Sequence, residues 1–343
     1  MTTTHRPTSH RGPRRTPVAH GSRRSTTPAT SRRRTPEPDR PHGRTLRIPP
    51  RRRDAPVTRR RGGRRRRGRC PRCRRRPPGA PRAVHPVPGA RPGRPRRAHP
   101  GRPSRPTSSG SFTSRARRGR RVGWTVAAPT SDHALPVVVA LHGYGDDHAD
   151  LFGDRLGLDR FLAEHVDHGG APFAIAAVDG GDRYWHRRAD GDDPASMVLD
   201  EFLPLLARQG LDTGRLGFTG YSMGGYGALH FAGVLGRHRV RVVSALSPAL
   251  WTTAGDTARG AFDDPTDFAA NTVTGRQRAL DGIPVRIDCG TGDGFEPAVR
   301  TYVDGFTRRP AGGFEAGGHD MAFWRRLAPD HVAFLGQHLT SAT

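Results

Sequence analysis

The chain has 343 residues and a formal net charge of +27, with 58 arginines and no lysine. Residues 1–121 contain 39 basic and 3 acidic residues, whereas residues 122–343 contain 19 and 28, so the basicity belongs to the first third alone. The overall charge therefore does not identify the whole chain as a nucleic-acid-binding protein. The 222 residues after position 121 are enough for one domain with a substantial core.

Residues 1–109 are rich in Arg, Pro, Gly, Ser and Thr, and their apolar residues are too scattered to form a stripe. We consider three interpretations of this basic tail. It could bind nucleic acid through phosphate contacts, although it lacks interleaved aromatic residues. It could be a disordered extension without a specific partner, or the product of reading a GC-rich gene from the wrong start or frame. We favour the last two together.

Two further features of the sequence bear on metals and membranes. Cys70 and Cys73 form a CxxC pair without a second pair at zinc-binding spacing, so we expect no metal site there. No window resembles a membrane-spanning helix or the apolar centre of a signal peptide. As written, the sequence predicts a cytoplasmic protein, or an exported one if the true N-terminus carries a signal that this chain lacks.

Residues 110–343 have the sequence pattern of one catalytic domain. Short apolar runs alternate there with longer mixed segments. This alternation predicts an α/β fold with a mostly parallel sheet covered by helices on both faces. Ligands on such sheets bind beyond the C-terminal strand ends, so the following loops are the place to look for chemistry. The predicted strands are 122–127, 136–141, 173–178, 215–219, 241–246 and 284–288, and the predicted helices are 195–208, 224–235 and 329–339.

The strand 136–141 runs directly into His142-Gly143-Tyr144-Gly145. Acyl transfer needs two backbone N–H groups aimed at the developing oxyanion, one of them from an early loop of this kind. We predict the Tyr144 N–H as this donor, with Gly143 as the alternative. His142 is interpreted as a brace for the loop, because a histidine this early breaks the chain order expected of the catalytic base.

A glycine-flanked serine, Gly220-Tyr221-Ser222-Met223-Gly224, follows the strand 215–219 and precedes a helical pattern. A nucleophile on a tight strand-to-helix turn needs small neighbours, because the backbones there approach closely. The helix N-terminus favours the negative charge that develops during attack. We predict Ser222 as the nucleophile and the Met223 N–H as the second oxyanion donor.

The general base and its orienting acid are predicted from chain order, which in this fold runs Ser, then Asp or Glu, then His. His319 satisfies that order, whereas the later histidines lie in the predicted terminal helix. For the acid, Asp293 lies in the loop beyond the strand 284–288, where a carboxylate can reach back to the histidine. Asp288, at the strand end, and Glu296 remain the alternatives.

Two tryptophans are candidates for the wall of the substrate cleft. Trp185 follows the strand 173–178 and its glycine turn, and Trp251 follows the strand 241–246. Packing in the core is the alternative for either residue. The short sequence between that strand and position 284 leaves little room for a lid, so we expect an open site.

Four motifs are considered together: Leu141-His142-Gly143, Gly220-Tyr221-Ser222-Met223-Gly224-Gly225-Tyr226-Gly227-Ala228, Cys289-Gly290-Thr291-Gly292-Asp293 and Gly318-His319-Asp320-Met321-Ala322-Phe323-Trp324. Together these motifs resemble the "putative esterase" (esterase D-like) branch of the α/β-hydrolase superfamily, which includes S-formylglutathione hydrolases and feruloyl esterases. The resemblance covers about residues 110–339 and implies the α/β-hydrolase fold, a triad of Ser222, Asp293 and His319, and no metal or organic cofactor. Gly294 departs from the proline expected after the acid.

The sequence therefore predicts a serine carboxylesterase that cleaves a small-molecule ester through an acyl-enzyme on Ser222. An acyltransferase of the same fold differs only in the acceptor of the acyl group and stays an alternative. A nucleic-acid-binding protein acting through the tail is the alternative from a different class.

Overall fold

The computed structural model describes residues 107–340, so the predicted tail lies outside the described residues except for its last three positions. The described part contains one sheet of eight strands. The strands are β1 (Thr107–Ser114), β2 (Arg120–Ala127), β3 (Pro136–Leu141), β4 (Ala174–Val178), β5 (Asp212–Tyr221), β6 (Val240–Leu246), β7 (Val285–Gly290) and β8 (Ala311–Glu315).

The strands lie in the order β1-β2-β4-β3-β5-β6-β7-β8. The pairs β1/β2 and β2/β4 are antiparallel, and the remaining pairs, from β4 to β8, are parallel. Strands β3 and β4 are buried along their whole length, as expected of central parallel strands covered on both faces. The mostly parallel sheet predicted from the sequence is therefore present.

Helices connect the strands and cover both faces of the sheet. A six-residue π-helical segment, Met197–Phe202, joins the short helices Pro194–Ser196 and Leu203–Arg208. The α-helices are α1 (Leu158–Asp167), α2 (Pro194–Ser196), α3 (Leu203–Arg208), α4 (Met223–Leu235), α5 (Pro265–Asn271), α6 (Glu296–Asp304) and α7 (Met321–Leu339). Within residues 107–340, no helix is both long enough and apolar enough to span a membrane.

The core is divided by the sheet into two apolar clusters, because successive side chains of a strand point to opposite faces. Along β3, Val137 and Val139 join the cluster that contains α3, α4 and α6. Val138 and Ala140 join the cluster that contains α1 and α7. The continuously apolar strand β3 therefore contributes side chains to the apolar clusters on both faces of the sheet.

The six strands predicted from the sequence are present, with bounds that shift by up to three residues. Strands β1 and β8 have no counterpart in the prediction, because they are exposed edge strands rich in Gly, Ser or Thr with few apolar residues. The terminal helix begins at Met321 rather than at Pro329, so the predicted start was wrong. Asp320 caps α7, and Pro329 is accommodated inside the helix.

A buried ionic cluster ties β7 to α7. The Asp288 carboxylate accepts hydrogen bonds from His331 Nε2 at 2.9 Å, Arg286 Nε at 2.7 Å and the Gly313 N–H at 3.1 Å. Burial disfavours the carboxylate, but the bonds from His331 and Arg286 outweigh it and hold the pKa of Asp288 below its usual value. Burial lowers the pKa of His331, so this histidine is a neutral donor to Asp288.

We expect Asp288→Asn to lower the free energy of unfolding by about 2 kcal/mol at pH 7, because the variant loses the charge that Arg286 and His331 face. The contribution of a carboxylate with a lowered pKa is present above about pH 4 and is lost as the pH falls through that lowered pKa. Urea unfolding of both proteins at pH 7 and pH 3 should therefore show a smaller difference at pH 3.

Asp304→Asn is the matched surface control. The Asp304 side chain is 71% exposed, and its carboxylate is no closer than 4.0 Å to the Arg309 guanidinium, so the ion pair is weak. This variant should unfold like the wild type. Equal stability of the Asp288→Asn variant and the wild type at pH 7 would contradict the role assigned to the buried cluster.

Candidate active site

Ser222 lies on a strained turn between β5 and α4. Its backbone has φ 54° and ψ −120°, which is unusual for a residue with a side chain. A Cβ at Gly220 would lie 2.4 Å from the Gly224 carbonyl oxygen, and one at Gly224 would lie 1.9 Å from the Leu141 carbonyl oxygen. Only glycine fits at either flanking position, and the turn holds the half-buried serine at the C-terminal edge of the sheet.

Three predicted site residues meet in one chain of hydrogen bonds. Ser222 Oγ lies 2.8 Å from His319 Nε2, and His319 Nδ1 lies 2.8 Å from Asp293 Oδ2. The Asp293 side chain is fully buried, whereas 29% of the His319 side chain is exposed. The imidazole thus spans the distance from a buried carboxylate to an accessible hydroxyl, which is the arrangement of a serine hydrolase triad.

The turn after β7 fixes the Asp293 carboxylate. The Asp293 N–H donates to the Gly290 carbonyl at 3.1 Å, and Asp293 Oδ1 accepts from the Phe295 N–H at 2.9 Å. Burial raises the pKa of Asp293, but the hydrogen bonds from His319 and the Phe295 N–H outweigh it and leave the pKa below its usual value. The carboxylate is therefore ionised when it accepts from the imidazole.

The two alternative acids lie elsewhere. Asp288 is bound to His331 at the interface of β7 with α7, and Glu296 pairs with Arg300 one turn along α6. Neither carboxylate has a described hydrogen bond to His319. Of the three candidate acids, Asp293 is the one whose carboxylate forms a hydrogen bond with the His319 imidazole.

Aromatic rings hold the histidine from two sides. The Phe295 ring lies 5.1 Å from the His319 ring, and the Trp324 ring meets it edge-on at 5.0 Å. Helix α7 starts two residues after His319, where the Asp320 carboxylate accepts from the Phe323 N–H at 2.9 Å. This helix cap fixes the backbone that carries the histidine.

The two predicted oxyanion donors lie after neighbouring parallel strands. Met223 is the first residue of α4, so its N–H has no acceptor within the helix and lies at the positive end of the helix dipole. Tyr144 lies in a turn after β3 that is closed by the Asp146 N–H and the Gly143 carbonyl at 3.4 Å. Since β3 pairs with β5, both N–H groups belong to the same edge of the sheet.

His142 braces the loop after β3, as its interpretation from the sequence suggests. Its Nε2 accepts from the Gly180 N–H at 2.9 Å, and its Nδ1 lies 2.7 Å from the Gly143 carbonyl, so Nδ1 carries the proton. Burial lowers the pKa of His142, which keeps the ring neutral. The histidine therefore joins the loop after β3 to the loop after β4.

Trp185 does not line the cleft, so the prediction that places it there is wrong. The residue is fully buried, and its ring packs against the backbone of Gly180 and Gly227 and the edge of His142. Tyr184 and Trp185 both have positive φ values, 51° and 57°, and the chain turns at these two residues. Core packing, the alternative interpretation of the sequence, is what the structure shows.

A single aromatic ring, that of Phe295, separates Trp251 from His319. It is 8% exposed, and its ring meets Phe295 edge-on at 5.5 Å, while Phe295 contacts His319. Tyr184 packs on the other side of Trp251 at 5.6 Å. Phe295 is not among the site residues predicted from the sequence. Its position two residues beyond Asp293 could have indicated that it lies near the candidate site.

The site is open to solvent at the serine. Ser222 is half-buried and 29% of the His319 side chain is exposed, so both groups can be reached from solvent. In residues 107–340, no group of three or more His, Cys, Asp or Glu side chains is arranged to hold a metal ion.

Solved structures with the same fold include hydrolases. A ferulic acid esterase has a TM-score of 0.59 at 18% identity and covers 68% of this chain and 99% of its own. An S-formylglutathione hydrolase from Agrobacterium tumefaciens has a TM-score of 0.57 at 19% identity, covering 68% and 95%. The fluorophosphonate-binding serine hydrolase FphF from Staphylococcus aureus has a TM-score of 0.54 at 19% identity, covering 67% and 98%.

A search of curated protein sequences found no match. The family model described as "Putative esterase" matches residues 116–327, which is more than half of the chain and includes the Ser222 turn and the His319 loop. The α/β sheet and the solved structures of the same fold agree with this match. The chain belongs to this esterase family and is a serine ester hydrolase with the α/β-hydrolase fold.

Proposed function

We propose that this protein is a carboxylesterase in which Ser222 is the nucleophile, His319 the general base and Asp293 the acid that orients it. The observation that carries the proposal is the continuous pair of hydrogen bonds, 2.8 Å from Ser222 Oγ to His319 Nε2 and 2.8 Å from His319 Nδ1 to Asp293 Oδ2. A base within this distance can accept the hydroxyl proton as attack begins.

Acylation begins when Ser222 Oγ attacks the ester carbonyl carbon and its proton passes to His319 Nε2. The positive charge that develops on the imidazole faces Asp293, which also keeps the remaining N–H on Nδ1. Collapse of the tetrahedral intermediate breaks the ester C–O bond, and the proton on Nε2 passes to the departing alcohol. The products are the free alcohol and an acyl group bonded to Ser222.

Deacylation repeats the same proton transfers with water. His319 takes a proton from the water molecule, whose oxygen attacks the acyl carbonyl, and then returns that proton to Ser222 Oγ as the acid leaves. In both steps the carbonyl oxygen becomes negative, and the N–H groups of Met223 and Tyr144 are the proposed donors to it.

A small-molecule ester is the substrate class that fits an open cleft beside an aromatic wall. Phe295 borders His319 and is backed by Trp251, so we propose these two rings as the apolar side of the site. The names of the similar structures, ferulic acid esterase and S-formylglutathione hydrolase, suggest which esters to test first. A panel should therefore include a hydroxycinnamoyl ester, a formyl thioester and aliphatic esters of increasing acyl length.

Ser222→Ala should abolish ester hydrolysis and covalent labelling by a fluorophosphonate, because only the hydroxyl oxygen can form the covalent bond. The substitution removes one atom from a half-buried position, so the fold should persist. Peptide mass spectrometry of the labelled wild type should place the adduct on Ser222. Ser244→Ala is the control, because Ser244 is fully buried on β6 and hydrogen-bonds Thr219. A folded Ser222→Ala variant with wild-type turnover would overturn the proposal.

Asp293→Asn should reduce kcat by about 10³ to 10⁴, because an amide in place of the triad carboxylate favours the wrong imidazole tautomer. Asp288→Asn should retain kcat in the fraction that is folded, because that carboxylate contacts His331 instead. Circular dichroism first establishes that both variants are folded. Steady-state kinetics of the two variants then compare the contributions of the two carboxylates. The opposite ranking would assign the acid to Asp288.

A further inference from the structure

One side chain bridges the two backbone segments that carry the proposed oxyanion donors. Tyr221 directly precedes Ser222, is fully buried, and donates its hydroxyl proton to Asp146 Oδ2 at 2.8 Å. Asp146 is the last residue of the turn that contains Tyr144, closed by its own N–H on the Gly143 carbonyl at 3.4 Å. The hydroxyl therefore joins the nucleophile strand to the turn after β3.

The Tyr221 ring also sets how closely that turn approaches the strand. A Cβ at Gly143 would lie 2.6 Å from the ring atom Cε2, so the ring packs directly against the Gly143 backbone. Glycine at this position lets the turn rest on the ring. The turn is thus fixed at two points, by packing at Gly143 and by a hydrogen bond at Asp146.

The same ring also packs against the first turn of α7, which directly follows the loop of His319. Tyr221 stacks on Trp324 with centroids 4.5 Å apart and planes 25° apart, and Trp324 meets His319 edge-on. Burial and the neighbouring Asp146 carboxylate raise the pKa of Tyr221, which keeps the hydroxyl protonated as a donor. One side chain therefore connects the segments that carry a donor, the nucleophile and the base.

We propose that Tyr221 is a positioning residue that sets the separation of the Tyr144 and Met223 N–H groups through its hydrogen bond to Asp146. This inference rests on the proposed function, because it concerns the oxyanion that forms during acyl transfer. An oxyanion donor acts only when it lies about 2.7–3.1 Å from the developing charge, so a small shift of the turn weakens transition-state binding more than substrate binding.

Tyr221→Phe keeps the ring and its stacking but removes the bond to Asp146. Loss of a whole oxyanion donor costs about 10²–10³ in kcat, so displacement of one donor should lower kcat by roughly 10-fold. KM should change by less than about twofold, because the lost interaction is made only in the transition state. Kinetics on the best ester of the panel, with thermal unfolding of each variant, provide the measurement.

The coupling of Tyr221 to Asp146 separates positioning from general loss of packing. Asp146→Ala should lower kcat as much as Tyr221→Phe does, and the double variant should lose no more than either single variant. Asp146→Asn retains an oxygen acceptor and should recover most of the loss. If Tyr221→Phe does not fold, the contrast between Asp146→Ala and Asp146→Asn still tests the inference.

Tyr226→Phe is the matched control, because Tyr226 is also buried and donates its hydroxyl to the Asn271 carbonyl at 2.8 Å, away from the turn. Its kcat should equal that of the wild type. Wild-type kcat in Tyr221→Phe, a rise in KM alone, or additive losses with Asp146→Ala would each overturn the inference while Ser222 labelling stands. A wild type without Ser222 labelling or ester hydrolysis would instead overturn the proposed function, and this inference with it.

Discussion

The close approach of the Ser222 turn to the end of β3 is the constraint on which the rest of the candidate site depends. The missing side chain at Gly224 lets the first turn of α4 rest against the Leu141 carbonyl, where a Cβ would lie 1.9 Å away. This contact fixes the start of α4 relative to the loop after β3. The strained backbone of Ser222 persists because the packed strand and helix on either side of it leave no alternative path.

The sheet also decides which carboxylate can reach the histidine. Asp288 still pairs with Gly313 of β8, and its side chain faces α7, where it stabilises the domain through His331. Asp293, five residues further on, has left the sheet and turns back above the strand end. Position on the strand or in the turn beyond its end thus separates a structural acid from a candidate catalytic acid of the same residue type.

Local patterns made the fold and much of the candidate site predictable. The Ser222 turn, the loop at His142 and the His319 loop are short motifs whose glycines and strand context are readable along the chain. The edge strands β1 and β8 were not readable, because an exposed edge needs no apolar alternation. The ring contact of Tyr221 with Trp324 was also hidden, because it joins residues far apart in sequence.

The extent of burial distinguishes the structural histidines from the one that is available for proton transfer. His142 and His331 are each almost completely buried and have lowered pKa values, so each is held neutral and acts as a fixed hydrogen-bonding group. His319 instead keeps 29% of its side chain exposed, with a buried carboxylate on one nitrogen and an accessible hydroxyl on the other. A proton can be transferred only where a substrate can approach, so the same packing that makes two histidines structural leaves the third available for chemistry.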